Sequence, residues 1–203
     1  MTAAPPSPAE SAAPMHSRSE RRAHLVDTAL RLFARGGYHA TGIDAVLAAS
    51  GVAKKTLYHH FPSKDDLIVA YLEEANQQFW NWFEAALGQG SPREQLLALF
   101  EGVGQLALSP SCYGCTFQHA AADFPSLDHP GHRVALAHKQ AVLARLGALA
   151  VAAGARDPDR LAAQLLLLMD GAFVATRMFG PDSHAAHVAQ AAAVLIAAQL
   201  PQP

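Results

Sequence analysis

The stretch GVAKKTLYHHFPSKDDL, residues 51–67, decides the fold of this chain. Gly51 has no Cβ and can adopt the positive φ that a tight turn between two helices requires. The segment AKKTLYHH, residues 53–60, then predicts a short helix with Val52 and Leu57 facing inward. Together these features predict a helix, a three-residue turn and a second helix.

The end of the same stretch predicts the start of a long helix. Pro62 blocks continuation of the short helix. Ser63 can cap the next helix, because Asp66 follows three residues later and can reach back to the cap. Acidic residues in that first turn also suit the positive end of the helix dipole. We expect this helix to run from about residue 64 to residue 87.

Two helices are predicted before the turn. Apolar residues recur at helical spacing over residues 18–35, and Gly36 is the expected left-handed cap. Thr41, followed three residues later by Asp44, resembles a capping box and predicts a helix over residues 42–49.

The rest of the chain also has helical periodicity, broken by segments that contain Gly or Pro. Further helices are expected at about residues 92–108, 114–123, 130–153, 158–179 and 183–199. No useful β-alternation is present, so the predicted fold is all-α, with an N-terminal three-helix domain and a C-terminal helical domain.

Charge divides the chain into two unlike parts. Residues 18–64 hold eight basic and three acidic residues, whereas residues 65–203 hold seven basic and thirteen acidic ones. A basic module joined to an acidic remainder indicates a nucleic-acid-binding domain fused to another function. Residues 1–14 are rich in Pro, Ala and Ser and predict a disordered tail. The expected domains are therefore residues 15–64 and 65–203.

Composition bears on location and assembly. Neither a long uninterrupted apolar run nor a signal peptide is evident, and two cysteines do not resemble a disulfide framework, so a cytoplasmic protein is expected.

Apolar residues make up 51% of the chain and charged residues 16%. The helix over residues 158–179 is apolar nearly all round, and the final helix is rich in Ala. We expect these two helices to pack against their copies in a two-fold dimer.

Four short motifs, TGI from Thr41, SGV from Ser50, TLYHHF from Thr56 and PSK from Pro62, resemble the signature of the TetR family of bacterial transcriptional regulators. The resemblance covers about residues 18–72. It implies a homodimer that places two helix-turn-helix modules in successive major grooves of a palindromic operator. It also implies a repressor whose C-terminal domain binds a small inducer and releases double-stranded DNA. Ala53 departs from the Ser of many members and loses a hydroxyl that would cap the recognition helix.

The expected DNA contacts lie in and around the third helix. They are Thr41, Lys54, Lys55, Thr56, Tyr58, His59 and Lys64. Lys54 and Lys55 are the candidates for base edges, and the other residues are candidates for phosphates. The competing interpretation is a solvated basic hairpin in some other all-α protein.

The expected ligand pocket lies between the fourth and seventh helices. Its apolar candidates are Trp80, Phe83, Phe100, Val103, Phe117, Phe124, Leu136 and Leu143. Its polar candidates are Cys115, His119, Asp123, His138 and Asp170. Such walls favour an apolar or aromatic inducer. Each apolar residue is also consistent with ordinary core, and Asp170 with a structural ion pair.

Cys115 admits four interpretations. At a helix start it would have a lowered thiol pKa and react with electrophiles, like the Gly-Cys of TetR-type regulators that sense electrophiles or oxidants. With Cys112 and His119 it forms the metal-ligand spacing C-x2-C-x3-H, and with His119 and Asp123 it forms a Cys-His-acid set for an enzyme. The fourth interpretation is a small buried thiol. We expect no catalytic site, metal or cofactor.

Overall fold

The computed structural model describes residues 17–200, and all the regular structure within them is helical. The α-helices are α1 (Arg18–Gly36), α2 (Ile43–Ser50), α3 (Lys54–His60), α4 (Lys64–Leu87), α5 (Pro92–Ala107), α6 (Thr116–Asp123), α7 (Pro130–Ala152), α8 (Pro158–Phe179) and α9 (Val188–Gln199). The predicted all-α class is confirmed. The predicted tail, residues 1–14, lies outside the described residues.

Local sequence sets most of the helix ends. Ser63 and Asp66 form the predicted capping box at the start of α4. The cap predicted for α2 is wrong, because α2 follows Gly42 and no side chain caps it. The cap of α1 is also displaced by one residue, since Gly37 rather than Gly36 has the positive φ of 77°.

The connection between α8 and α9 differs from the prediction of a helix from residue 183. Two 3-10 turns, Gly180–Asp182 and His184–His187, precede α9, which begins at Val188. The Ser183 hydroxyl accepts a hydrogen bond from the backbone N–H of Ala185 at 3.1 Å. This bond favours a tight turn where the sequence pattern predicted a helix.

Two hydrophobic cores share the long helix α4. The N-terminal core contains α1–α3 and the first part of α4, and it extends to Phe117, Phe124 and Ala135 of the later chain. The C-terminal core is formed by the end of α4 with α5, α7, α8 and α9. The first core reaches Leu72, so α4 belongs to both parts of the molecule and mechanically connects them. The predicted boundary after residue 64 stays a prediction.

By length and composition alone, α7 and α8 could each span a membrane. Both helices contribute side chains such as Val142, Leu146 and Leu165 to the C-terminal core. Packing in this core accounts for part of their apolar character, and two such helices are not sufficient to indicate a membrane location.

Candidate nucleic-acid interface and ligand cavity

The turn between α2 and α3 is held by short hydrogen bonds. Gly51 has a φ of 67°, and its N–H donates to the Leu47 carbonyl at 2.9 Å. The Ser50 hydroxyl accepts from the Val52 N–H at 3.3 Å. The Ser50 carbonyl lies 3.0 Å from Nε2 of His24, which joins this turn to α1. The turn between α2 and α3 is therefore held by hydrogen bonds of its own residues and by a contact with α1.

Helix α3 has one buried face and one open face. Leu57 is fully buried in the N-terminal core. Lys54, Lys55, Tyr58 and His59 are exposed. The open face thus presents two ammonium groups, a phenol and an imidazole, which are the groups that grip phosphates and base edges.

Other predicted DNA contacts are less open. Thr56 and Lys64 are half-buried beside this face. The Lys54 ammonium lies 3.8 Å from a carboxylate oxygen of Asp44, and both side chains are well exposed, so the pair is weak and can exchange for a phosphate. Ala53 stands at the N-cap of α3 without a side-chain hydrogen bond, which is the loss expected from the sequence.

The Thr41 side chain is buried, whereas the sequence predicted that it contacts DNA. Its side chain is only 6% exposed, and its hydroxyl donates to the Leu32 carbonyl at 3.4 Å. The hydroxyl therefore closes the connection between α1 and α2, and the expected phosphate contact from it is corrected. Sequence spacing suggested a cap because it does not reveal that the α1 carbonyl is nearby.

A cavity of about 340 Å³ lies where the two cores meet. Residues of α1, α4, α6, α7 and α8 and of the segment 106–115 form its wall. Most of the wall is aromatic or aliphatic, including Phe79, Trp82, Met169 and Phe173. This volume is at the lower end of the roughly 300–1,000 Å³ of ligand pockets, so the cavity suits a small apolar molecule.

Four of the predicted ligand residues line this cavity: Cys115, Phe117, His119 and His138. Burial lowers the pKa of His119, and the nearby Arg177 guanidinium lowers it further, so its ring is neutral over a wider pH range. Burial followed by the charge of Lys139 lowers the pKa of His138 to about 3. Both imidazoles therefore present neutral rings to the cavity near neutral pH.

Six predicted ligand residues lie outside the cavity wall: Trp80, Phe83, Phe100, Val103, Asp123 and Asp170. Phe83, Phe100 and Val103 are fully buried in the C-terminal core. Trp80 borders a separate groove between α4 and α7. The sequence correctly indicates that Phe83, Phe100 and Val103 face inward, but it cannot separate core from cavity.

The two carboxylates have partners inside the protein. Asp170 forms a half-buried ion pair with Lys139, a residue of the cavity wall. The Asp123 carboxylate accepts a hydrogen bond from the Tyr38 backbone N–H at 3.2 Å. Asp170 is therefore the structural ion pair that the sequence also allowed, and Asp123 holds α6 to the end of α1.

The two cysteines lie in the wall of the cavity. Cys112 and Cys115 are free thiols, half-buried in the cavity wall with His119. Burial raises the pKa of the Cys112 thiol. Asp123 lies outside this cavity wall, and its carboxylate accepts from the Tyr38 backbone N–H. Within residues 17–200, no three His, Cys, Asp or Glu side chains are placed to hold a metal ion.

Hydrogen bonds connect the cavity wall to α4 and to the chain between α1 and α2. The Tyr38 hydroxyl donates to the Thr116 carbonyl at 3.0 Å, and the Tyr71 hydroxyl bonds the Thr116 hydroxyl. Burial raises the pKa of both phenols, which keeps them protonated. The His39 ring nitrogen lies 2.8 Å from the Asp123 carbonyl. Helix α6 is thereby tied to α4 and to the chain between α1 and α2.

Tyr113 makes a second connection at the cavity edge. Its hydroxyl accepts from Nε of Arg35 at 3.0 Å, and the Arg35 guanidinium also lies 5.7 Å from its ring centroid. Arg177 of α8 donates at 3.4 Å to the carbonyls of both Ala34 and Tyr113. The end of α1, the cavity wall and α8 therefore meet in one polar cluster.

Sequence reasoning missed part of the cavity wall. Phe79 and Trp82 line it, whereas Leu136 and Leu143, expected to face inward, are exposed, and Phe124 belongs to the N-terminal core. A signal was present, because Tyr71, Ala75, Phe79 and Trp82 follow helical spacing along one face of α4. That face continues the buried face of the N-terminal core.

Residues 25–71 match the model of the family described as bacterial regulatory proteins, tetR family. The transcriptional repressor KstR of Mycolicibacterium smegmatis is 37% identical over 81 residues, which are 40% of its length. The transcriptional activator FasR of the same species is 45% identical over 56 residues, 26% of its length. The chain thus spans less than half the length of the curated relatives it matches.

Solved structures match almost the whole chain. SCO4454, a TetR-family transcriptional regulator from Streptomyces coelicolor, is 35% identical with a TM-score of 0.80, covering 89% of this chain and 94% of that one. A TetR-type regulator from Streptomyces avermitilis is 33% identical with a TM-score of 0.78, covering 88% and 97%. The chain therefore belongs to the TetR family of DNA-binding transcriptional regulators.

Proposed function

We propose that this chain is a repressor that binds a palindromic operator as a homodimer in the bacterial cytoplasm and is released by a small inducer. One observation carries the proposal. Leu30 and Ala34 of α1 line the cavity. His24 of the same helix contacts the Ser50 carbonyl in the turn between α2 and α3. A molecule that displaces α1 from inside the cavity would therefore move the helix-turn-helix.

In this proposal α3 enters the major groove. Lys54 and Lys55 reach base edges, most naturally guanine O6 and N7. Thr56, Tyr58 and His59 contact the phosphates on either side, and Lys64 contacts the backbone from the start of α4. Residues 15–64 then form the DNA-binding part, and residues 65–203 bind the inducer and pair the subunits.

Pairing through α8 and α9 is supported by their open apolar faces. On α8, Leu167, Gly171, Val174 and Met178 follow helical spacing and are exposed, and Val194 of α9 is exposed as well. Large apolar side chains in a continuous stripe indicate a protein interface. A two-fold axis along this stripe would set the spacing of the two recognition helices.

Footprinting of the purified protein on the DNA flanking its own gene tests the proposal. We expect a protected palindrome whose half-sites lie about one helical turn or more apart. Lys55→Ala should weaken operator binding by roughly 5- to 150-fold, because a base-edge contact contributes about 1–3 kcal/mol. Arg93→Ala is the matched control, since it removes an exposed cation from α5.

Either of two results would contradict the DNA-binding roles. Equal loss in the Lys55 and Arg93 variants would show that only overall charge matters. Unchanged binding in Lys55→Ala and in Tyr58→Phe would remove α3 as the recognition helix. Affinities are to be compared at one stated salt concentration, because phosphate contacts make them depend on salt.

The inducer is proposed to be a small apolar or electrophilic molecule. The aromatic wall favours the first class, and the position of Cys115 in that wall supports the second. N-ethylmaleimide should release the wild-type protein from its operator but not the Cys115→Ala variant, which should still bind DNA. Cys112→Ala is the matched control, because burial raises the pKa of the Cys112 thiol and so disfavours its thiolate.

Release that persists in Cys115→Ala would exclude the electrophile interpretation and leave the apolar inducer. By linkage, any inducer must weaken operator binding by the same factor by which the operator weakens inducer binding.

A further inference from the structure

His138 is a buried polar side chain with a single hydrogen-bond partner, Asn76, among residues 17–200. It is 4% exposed and lies on α7 between the cavity and the smaller groove bordered by Trp80. Its ring stacks on Phe117 with centroids 3.5 Å apart, and Phe79 meets it edge-on at 4.6 Å. These two contacts fix the orientation of the imidazole.

Asn76 fixes which ring nitrogen carries the proton. Nδ1 of His138 lies 2.7 Å from Oδ1 of Asn76, and a carbonyl oxygen can only accept. Nδ1 therefore donates, and in a neutral ring Nε2 holds a free lone pair. The ring stays neutral because burial and the adjacent Lys139 disfavour its charged form.

The free lone pair faces away from Asn76. The two nitrogens of an imidazole point to nearly opposite sides of the ring, and Asn76 belongs to the outer groove but not to the cavity wall. In the described part of the chain, every fully sealed side-chain nitrogen or oxygen has a hydrogen-bond partner. Since Nε2 bonds no described protein group, it is not fully sealed, and His138 lines the cavity, whose wall does not include Asn76.

The remaining wall favours an uncharged ring system. Phe79, Trp82 and Phe117 supply aromatic faces. The Lys139 ammonium is neutralised by Asp170, and no carboxylate of residues 17–200 lines the cavity. A charged ligand would lose hydration here without finding an unpaired counter-charge.

We propose that the cavity recognises an uncharged aromatic molecule carrying one hydrogen-bond donor, such as a phenolic hydroxyl, which Nε2 of His138 accepts. This inference rests on the proposed function and names the chemical class of its inducer. His138 is then the specificity-determining residue, and Asn76 is a positioning residue that holds its tautomer.

Calorimetric titration of the full chain with 2-naphthol and with its methyl ether, 2-methoxynaphthalene, tests the proposal near neutral pH. The wild type should bind the phenol roughly ten-fold more tightly, as expected for one added hydrogen bond. His138→Phe keeps an aromatic ring and should bind both probes with nearly equal affinity. His129→Phe is the matched control, because His129 also stacks on a phenylalanine, Phe124, but does not line the cavity.

Equal affinities in the wild type, the same preference in His138→Phe, or no saturable binding of either probe would overturn the proposal. If His138→Phe does not fold by circular dichroism, Asn76→Leu decides, since losing the anchor should also reduce the preference. The operator footprint is read separately, without a probe. An intact footprint with equal affinities would overturn the donor proposal while the regulatory function stands.

Discussion

At the scale of single residues, the buried imidazole of His138 makes the folded state sensitive to acid. Its pKa is about 3 in the folded protein, against about 6.5 in an unfolded chain. The unfolded state therefore binds more protons below pH 6.5, and stability falls as the pH drops from about 6.5 towards 3. We expect the free energy of unfolding to fall by about 2 kcal/mol between pH 7 and pH 5, which urea unfolding at the two pH values measures.

The control for this prediction is His138→Phe. Its free energy of unfolding should fall less over the same pH range, because the variant lacks the imidazole that takes up a proton on unfolding. Asn76, Phe79, Phe117 and Lys139 surround the ring and stay in place. His119, whose pKa is also lowered, acts equally in both proteins. Equal losses in wild type and variant would contradict the burial argument.

The same scale shows what a sequence can reveal about the site. Exposure of Lys54, Lys55 and Tyr58 follows from the spacing of α3 around Leu57, and the structure places them as that spacing implies. The burial of Thr41 depends instead on a carbonyl nine residues earlier, which the folded connection between α1 and α2 brings near. Spacing alone does not contain that contact.

At the scale of elements, the first turn of α3 lacks a side-chain cap. Ala53 occupies the N-cap in an extended conformation that a serine also adopts, and it is exposed. Ala53→Ser should raise the free energy of unfolding by about 0.5–1 kcal/mol, because its hydroxyl can accept from an unpaired backbone N–H. The urea midpoint measures this gain.

Ser63→Ala is the opposite change at the start of α4. It removes an observed capping box, so it should lower stability by about 1 kcal/mol. A loss in Ser63→Ala without any gain in Ala53→Ser would mean that α3 is held by the core alone.

Elements also mark the limit of sequence prediction. The ends of α4 were predictable from Ser63 and from the glycine after Leu87, because caps are local. Helical spacing groups Phe79 and Trp82 on one inward face of α4, but it does not tell whether that face or the face of Phe83 lines a cavity, because all three residues are aromatic. Only the neighbouring helices distinguish these faces.

At the scale of the whole molecule, the stripe on α8 and α9 is an apolar surface that is exposed in the single subunit. Leu167 is 71% exposed, and Val194 on α9 is 65% exposed. If these faces pair across a two-fold axis, Leu167→Glu places like charges in an apolar interface and should shift sedimentation from dimer to monomer. Operator affinity should then fall by at least ten-fold, because each monomer holds one half-site.

Val151→Glu is the matched control, since Val151 is similarly exposed at the end of α7. A dimer that persists in Leu167→Glu but dissociates in Val151→Glu would move the interface to α7 and with it the expected spacing of the recognition helices.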